Sequence, residues 1–199
     1  PKVQDYLNIL EEKAQRLKTL TEDVVEASKV SSGNISLEYM DLDLSEMIQQ
    51  TQGELEEKFE ARNLAIVTDL PAEPAVVHVD GRRMWRVLEN IYGNAAKYAM
   101  PGTRVYATLK TDDTKVKFSL KNVSEHQLNI QAEELTERFI RGDISRSTEG
   151  SGLGLSIAQN LTTLQKGTFE IYLDGDLFKV QIGFSCLDVP QPEIEIQMR

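Results

Sequence analysis

Residues 86–98 read Arg-Val-Leu-Glu-Asn-Ile-Tyr-Gly-Asn-Ala-Ala-Lys-Tyr. They lie in a segment, Gly81 to about Ala99, with helical periodicity and a stop signal at Pro101-Gly102. At ~100° per residue, Met84, Val87, Leu88, Ile91 and Ala95 gather on one broad apolar face. Asn90, Asn94 and Lys97 stand at i, i+4 and i+7 on a narrow neighbouring face. One side of this helix is therefore made to be buried, and the other offers two amides and an ammonium. Asparagine is a mediocre helix former, so two of them one turn apart cost stability and ask for a use.

The elements around this helix set the fold. Residues 2–29 are charged and free of proline and glycine. Leu10, Leu17 and Val24 recur every seven residues, Leu20 and Ala27 occupy the second seam position, and Lys13 interrupts it. Such a helix needs a partner, either within the chain or in a dimer. Ser31-Ser32-Gly33-Asn34 ends it. A second helix is expected over Leu44–Glu60 with Asp43 as its N-cap. Leu64–Asp69 and Ala75–Val79 read as strands, separated by Pro71 and Pro74. Thr103–Lys110 and Lys115–Val123 read as a hairpin, and Thr168–Asp174 with Leu177–Phe184 as another, turning at Gly175. Between the hairpins lie a short helical piece near Ala132–Phe139 and a long helix over Leu153–Gln165. The sum is α+β. A two-layer α/β sandwich, with one mostly antiparallel sheet on about three helices, is preceded by one long dimerisation-type helix. The expected divisions are residues 1–31 (helix), 32–43 (linker), 44–187 (the sandwich domain) and 188–199 (loose tail).

Composition narrows the function. Of 199 residues, 40% are hydrophobic and 27% charged, enough apolar material for a sizeable core. A net charge of -10 argues against nucleic acid or anionic lipid as the main partner. An anionic ligand would then need a locally basic pocket. No apolar run approaches the ~18–20 residues of a membrane span. The single cysteine, Cys186, cannot form an intrachain disulfide.

Three groups of residues suggest phosphate chemistry. An amide oxygen such as that of Asn94 or Asn90 is a hard neutral ligand suited to Mg2+, and Lys97 can neutralise phosphate charge. Gly150-Ser151-Gly152-Leu153-Gly154-Leu155 leads into the helix from Leu153. Such a turn can aim backbone N–H groups at an anion at the positive end of the helix dipole. It lacks the Gly-Lys-Ser/Thr ending of a Walker A loop. Arg138, Arg141 and Arg146 form a local basic patch just upstream, which a closing lid could bring to the outer phosphates. Each group alone has a bland reading: a solvated helix face, a linker, arginines on a loop.

Together these segments resemble the sensor histidine kinases. Residues 86–98 look like the family's asparagine box, Glu137-Arg138-Phe139-Ile140-Arg141 like its phenylalanine box, and Gly150–Leu155 with Ser156-Ile157-Ala158 like its second glycine box. Order and spacing agree, and the boxes span about residues 80–165. The resemblance implies the Bergerat-type ATP-binding fold, with ATP and Mg2+ as ligands. It implies that Asn94 holds the metal with support from Asn90. Lys97 meets phosphate, Tyr98 packs on the nucleotide, and Gly152–Leu155 wraps the triphosphate. Residues 2–29 then resemble the second helix of a dimerisation and phosphoacceptor hairpin, which implies a homodimer and a response-regulator partner. By family habit the domain is cytoplasmic and its parent membrane-bound.

The chain departs from that pattern twice. The family's phosphoaccepting histidine lies on a helix in a His-acid context. His78 sits in a strand-like stretch and His126 in Ser124-Glu125-His126-Gln127, so the acceptor is expected upstream of Pro1. The family's first glycine box, Asp-x-Gly-x-Gly, falls on Asn122-Val123-Ser124-Glu125, without glycines and with an amide for the carboxylate. Asn122 can still accept from the adenine amino group. The expected function is an ATP-dependent protein-histidine kinase core whose fragment alone does not autophosphorylate. The alternatives are a non-catalytic pseudokinase that dimerises and an anti-sigma-type serine kinase.

Overall fold

The computed structural model describes residues 2–31, 36–112, 114–128, 132, 135 and 153–186. The expected helical piece at 132–139 and the tail from 188 fall largely or wholly outside them. The order is α1 (Lys2–Ser31), β1 (Tyr39–Asp43), α2 (Leu44–Glu60), β2 (Ala65–Asp69), β3 (Val76–Asp80), α3 (Gly81–Tyr98), β4 (Arg104–Thr111), β5 (Lys115–Val123), α4 (Gly154–Leu164), β6 (Thr168–Asp174) and β7 (Leu177–Ser185). The α+β class inferred from the sequence is what folds.

The five-stranded sheet runs β2-β4-β5-β7-β6. Only the β2–β4 pair is parallel; its other three pairings are antiparallel. Two features were not read from the sequence. The 32–43 stretch contains β1, and β1 pairs antiparallel with β3 in a separate two-stranded sheet. Thus β3 does not join the main sheet.

The helices cover one face of the main sheet. In α2 the buried stripe is Leu44, Ile48, Thr51, Leu55 and Phe59, a helical spacing that faces one side. Asp43 caps this helix as expected: its Oδ1 accepts from Ser45 N at 2.9 Å and from Ala75 N at 3.0 Å. In α3 the apolar face anticipated from periodicity is buried, with Tyr92 and Ala96 added to it. Those side chains meet inward residues of the sheet such as Val105, Ala107, Phe118, Leu120 and Val180 in one core. Tyr92 is fully buried, stacks on Phe118 and meets Phe59 edge-on. Its hydroxyl accepts from Gln52 Nε2 at 2.8 Å, which ties α2 to α3. Burial holds the Tyr92 phenol well above its ordinary pKa, so it stays neutral.

Asp80 joins several elements at the start of α3. Its Oδ1 caps the helix by accepting from Arg83 N at 3.0 Å, and its Oδ2 accepts from Glu38 N at 2.9 Å. Its own N–H donates to Gln165 Oε1, at the end of α4, at 2.8 Å. The N-terminus of α3 is thereby locked to the entry of β1 and to α4. α1 runs beside α4, with Leu10, Leu17 and Val24 exposed.

Candidate functional site

The polar face of α3 forms one wall of the site. Asn90 is partly buried, and its Nδ2 donates to Arg86 O at 2.8 Å. That bond fixes the amide and leaves Oδ1 pointing at the start of α4. A Cβ built on Gly154 would stand 2.9 Å from Asn90 Oδ1. Glycine at 154 thus lets the first turn of α4 close on the amide. Asn94, one turn on, is half-buried, and its amide makes no hydrogen bond to the described residues. Lys97 Nζ lies 4.8 Å from the centroid of the Tyr98 ring, within cation–π range.

α4 begins at Gly154 after Leu153, and no side chain caps its N-terminus. Leu153 is buried, as are Leu155, Ile157, Ala158 and Leu161, so the helix is anchored by its apolar side. Ser156 Oγ turns back to Leu153 O at 2.8 Å rather than forward over the helix start. The positive end of the dipole therefore faces the amide of Asn90 with no carboxylate in the first turn. Gly150, Ser151, Gly152, Arg138, Arg141 and Arg146 lie outside the described residues.

The second wall is the end of β5. Asn122 continues the inward row of Val116, Phe118 and Leu120 and is 3% exposed. Its Nδ2 donates to Val123 O at 3.1 Å. Its Oδ1 is buried and has no hydrogen-bond partner among the described residues. A buried acceptor left alone costs about 1–3 kcal/mol. A donor from outside the chain, a water or a ligand group, would relieve that cost.

The two walls are held together by residues the sequence did not flag. The Arg62 guanidinium donates to the carbonyls of Ala96, Lys97 and Ala99, satisfying the C-terminus of α3, and pairs with Glu125. Glu125 N donates to Tyr98 O at 2.8 Å, and Met100 N to Val123 O at 2.9 Å. Tyr98 and Lys97 are thereby fixed beside the strand end that carries Asn122. Arg62 stands in the turn after α2, far in sequence from every group it touches. Periodicity carries no signal for it.

The donors suit the ligands that the sequence implies. Among the described residues no three His, Cys, Asp or Glu side chains converge. A metal here would draw on amide oxygens and on phosphate oxygens of a substrate, as Mg2+ does. A purine amino group is a donor of the kind that the unpartnered Asn122 Oδ1 lacks. Neither histidine lies on a helix. His78, on β3, is bound through Nδ1 to Asp41 Oδ1 at 2.7 Å and stacks on Tyr39. His126 is exposed beyond β5.

The same region is matched by known proteins. The family model for histidine kinase-, DNA gyrase B- and HSP90-like ATPases covers residues 79–185, just over half of the chain. The sensor histidine kinase RppB of Synechocystis is 26% identical over 187 residues, covering 92% of this chain and 41% of RppB. Full-length ShkA, solved in complex with AMPPNP, superposes with a TM-score of 0.81 at 20% identity, covering 96% of this chain and 41% of that one. The histidine kinase ThkA, solved with the response regulator TrrA, gives 0.66 at 23% identity over 93% of this chain and 52% of that one. The chain spans less than half the length of the curated relatives it matches.

Proposed function

The chain belongs to the histidine kinase-, DNA gyrase B- and HSP90-like ATPase family, as its resemblance to sensor histidine kinases implied, and from that premise we propose that it binds Mg-ATP as the catalytic core of a sensor histidine kinase. The γ-phosphoryl would pass to a histidine that neither His78 nor His126 supplies, and onward to a response-regulator aspartate. The observation that carries this reading is the buried Oδ1 of Asn122, without a partner among the described residues, at the strand end that is bonded to the C-terminus of α3, the helix of Asn90, Asn94 and Lys97.

Phosphoryl transfer asks the protein for positioning and charge neutralisation more than for covalent chemistry. Asn122 accepts from the adenine amino group, and Tyr98 packs on the base. Asn94 offers its amide oxygen to Mg2+, with Asn90 held beside it by Arg86 O. Bound Mg2+ supplies positive charge that neutralises the phosphate oxygens. Lys97 and Arg141 add positive charge toward the transferring group, Arg138 and Arg146 belong to the lid, and Gly150–Leu155 wraps the triphosphate. In this reading residues 1–31 are the dimerisation helix, 32–43 the linker, 44–187 the catalytic domain and 188–199 the tail. The exposed Leu10, Leu17 and Val24 supply the seam of a homodimer. The domain is cytoplasmic and its parent membrane-bound.

Calorimetric titration tests the reading. Mg-ATP is expected to bind, and Asn94→Ala to abolish the Mg2+-dependent part of the affinity. An affinity unchanged in that variant refutes the metal role, and no binding at millimolar nucleotide refutes the kinase reading. One observation favours a second reading, a pseudokinase that binds nucleotide without transfer. The first glycine box lacks its glycines, and Val123 and Ser124 are pinned by backbone bonds to Met100 and Asp176. A longer chain with the upstream helix that binds ATP yet never labels on histidine would decide for it.

A further inference from the structure

The main sheet has one face covered by helices and one open. On the open face the register sets Lys110 opposite Lys117, and Lys121 opposite Lys179. Like charges placed directly across a ladder are destabilising. Both pairs sit on the inner strands β4, β5 and β7. In a chain of net charge -10, this is a concentration of cations that composition does not explain. The second pair is bracketed by tyrosines in the same row. Lys121 Nζ lies 5.2 Å from the Tyr106 ring centroid and Lys179 Nζ 5.0 Å from that of Tyr172. The acids on the strands of this face, Asp69, Glu170 and Asp174, sit on the edge strands β2 and β6, and Asp112, in the turn after β4, lies 3.8 Å from Lys117 Nζ. The pattern is a cationic centre with an acidic rim.

α2 carries the complement. Opposite its buried stripe, Glu46, Gln50, Gly53, Glu57 and Glu60 follow one another at helical spacing, all exposed. Glu54 and Glu56 flank them, and Lys58 is the one cation among the exposed side chains of the helix. The 17 residues of α2 span roughly 25 Å, and the run from Arg104 to Lys110 on β4 about 20 Å. The acidic ridge and the basic strip therefore match in length and are opposite in charge.

We propose that the open sheet face is a self-association surface that takes the acidic ridge of α2 from a second copy of this chain. The two faces differ, so the contact is head-to-tail and leaves a free face at each end for a further copy. The net charge makes copies repel at a distance, so attraction acts only where the two faces meet. The association is then weak and strongly salt-dependent.

Sedimentation velocity on the full chain tests this, since any pairing through α1 stops at a dimer. Species larger than a dimer are expected to grow with concentration at about 50 mM salt and to vanish at about 500 mM, where screening acts within roughly 4 Å. Reversing the strip (Lys110→Glu, Lys117→Glu, Lys121→Glu) or the ridge (Glu46→Lys, Glu57→Lys, Glu60→Lys) is expected to weaken association on the order of tenfold or more. An equal mixture of the two reversed proteins is expected to restore it, which misfolded variants could not do. The milder Lys110→Gln, Lys117→Gln, Lys121→Gln protein is expected to fall between. The proposal is overturned if the wild type never exceeds a dimer at low salt, if neither reversal alters the distribution, or if the mixture fails to recover. It is equally overturned if the strip reversal instead abolishes binding to phosphatidylserine vesicles or to duplex DNA while self-association is absent.

Discussion

Asparagine serves both ends of the candidate site, in opposite settings. On α3, Asn94 is half-buried beside an open face, and Asn90 has one bond to its own helix. On β5, Asn122 is sealed in the core with a lone acceptor. The first setting keeps polar atoms within reach of water, so it costs little while empty. The second carries a penalty that a bound donor would relieve. A group already desolvated and fixed does not have to be ordered on binding, which favours affinity and selectivity. In the proposed function the reachable end would take hydrated ions and phosphates, and the sealed end a planar base.

The largest effect that would sharpen this contrast is expected from Gly154. In Gly154→Ala the new methyl would meet Asn90 Oδ1 at 2.9 Å, so the amide must rotate away and lose Arg86 O. The stability loss is expected to be small, about 1 kcal/mol, because a short side chain can move. Mg-ATP affinity is expected to fall on the order of 100-fold, or about 2.7 kcal/mol, since two site groups are displaced together. Adding Asn90→Ala should recover the stability and leave the binding defect. If Gly154→Ala alone binds as the wild type, the close approach of α4 to Asn90 has no role at the phosphate end.

The two ends were also unequally legible. The α3 face followed from 3.6-residue periodicity, and the apolar positions assigned to burial are buried. Helix α2, its cap and both hairpins came from equally local signals. Asn122 gave no such signal, because an asparagine near the end of a strand pattern looks like turn chemistry. Only its place in the family pattern, where the first glycine box falls, points to it. Its unpartnered oxygen is a property of the packed core around it. β1 was missed for a related reason. Its partner β3 lies more than thirty residues on, and pairing at that separation leaves no periodic trace in Tyr39–Asp43. The parallel β2–β4 pair and the Arg62 clamp are long-range in the same way.

That clamp is where the two ends are joined, and removing it is expected to have the next largest effect. Arg62→Ala strands three carbonyls at the end of α3 together with Glu125. Arg62 keeps a quarter of its side chain exposed, so water can replace part of what is lost. A cost of about 2 kcal/mol is expected, read as a lower denaturant midpoint at unchanged slope. If the clamp couples the ends, nucleotide should restore less stability to this variant than to the wild type at equal concentration. Equal restoration would mean that Arg62 supports the fold and leaves Tyr98 and Lys97 where they are.

The smallest expected effect, and the one that most directly sets one end against the other, is that of Asn122→Asp. The amide now donates to Val123 O, and a carboxylate cannot while it is ionised. A buried negative charge facing a carbonyl oxygen should lower the stability of the nucleotide-free protein by about 1–2 kcal/mol. Burial favours the protonated carboxyl, which can donate to Val123 O. That stability should therefore be retained at low pH and lost as pH rises past the carboxylate range. The wild-type amide gives no such dependence. With nucleotide bound, the adenine amino group would face a stronger acceptor, so affinity should hold or improve. The variant would then gain more stability from ATP than the wild type does, from a lower starting point. A change at the α3 end has no comparable pattern, since among the described residues no buried side-chain polar atom there is left unpartnered. Total loss of ATP binding in Asn122→Asp would show instead that the amide donor, and not its lone acceptor, is what the base end requires.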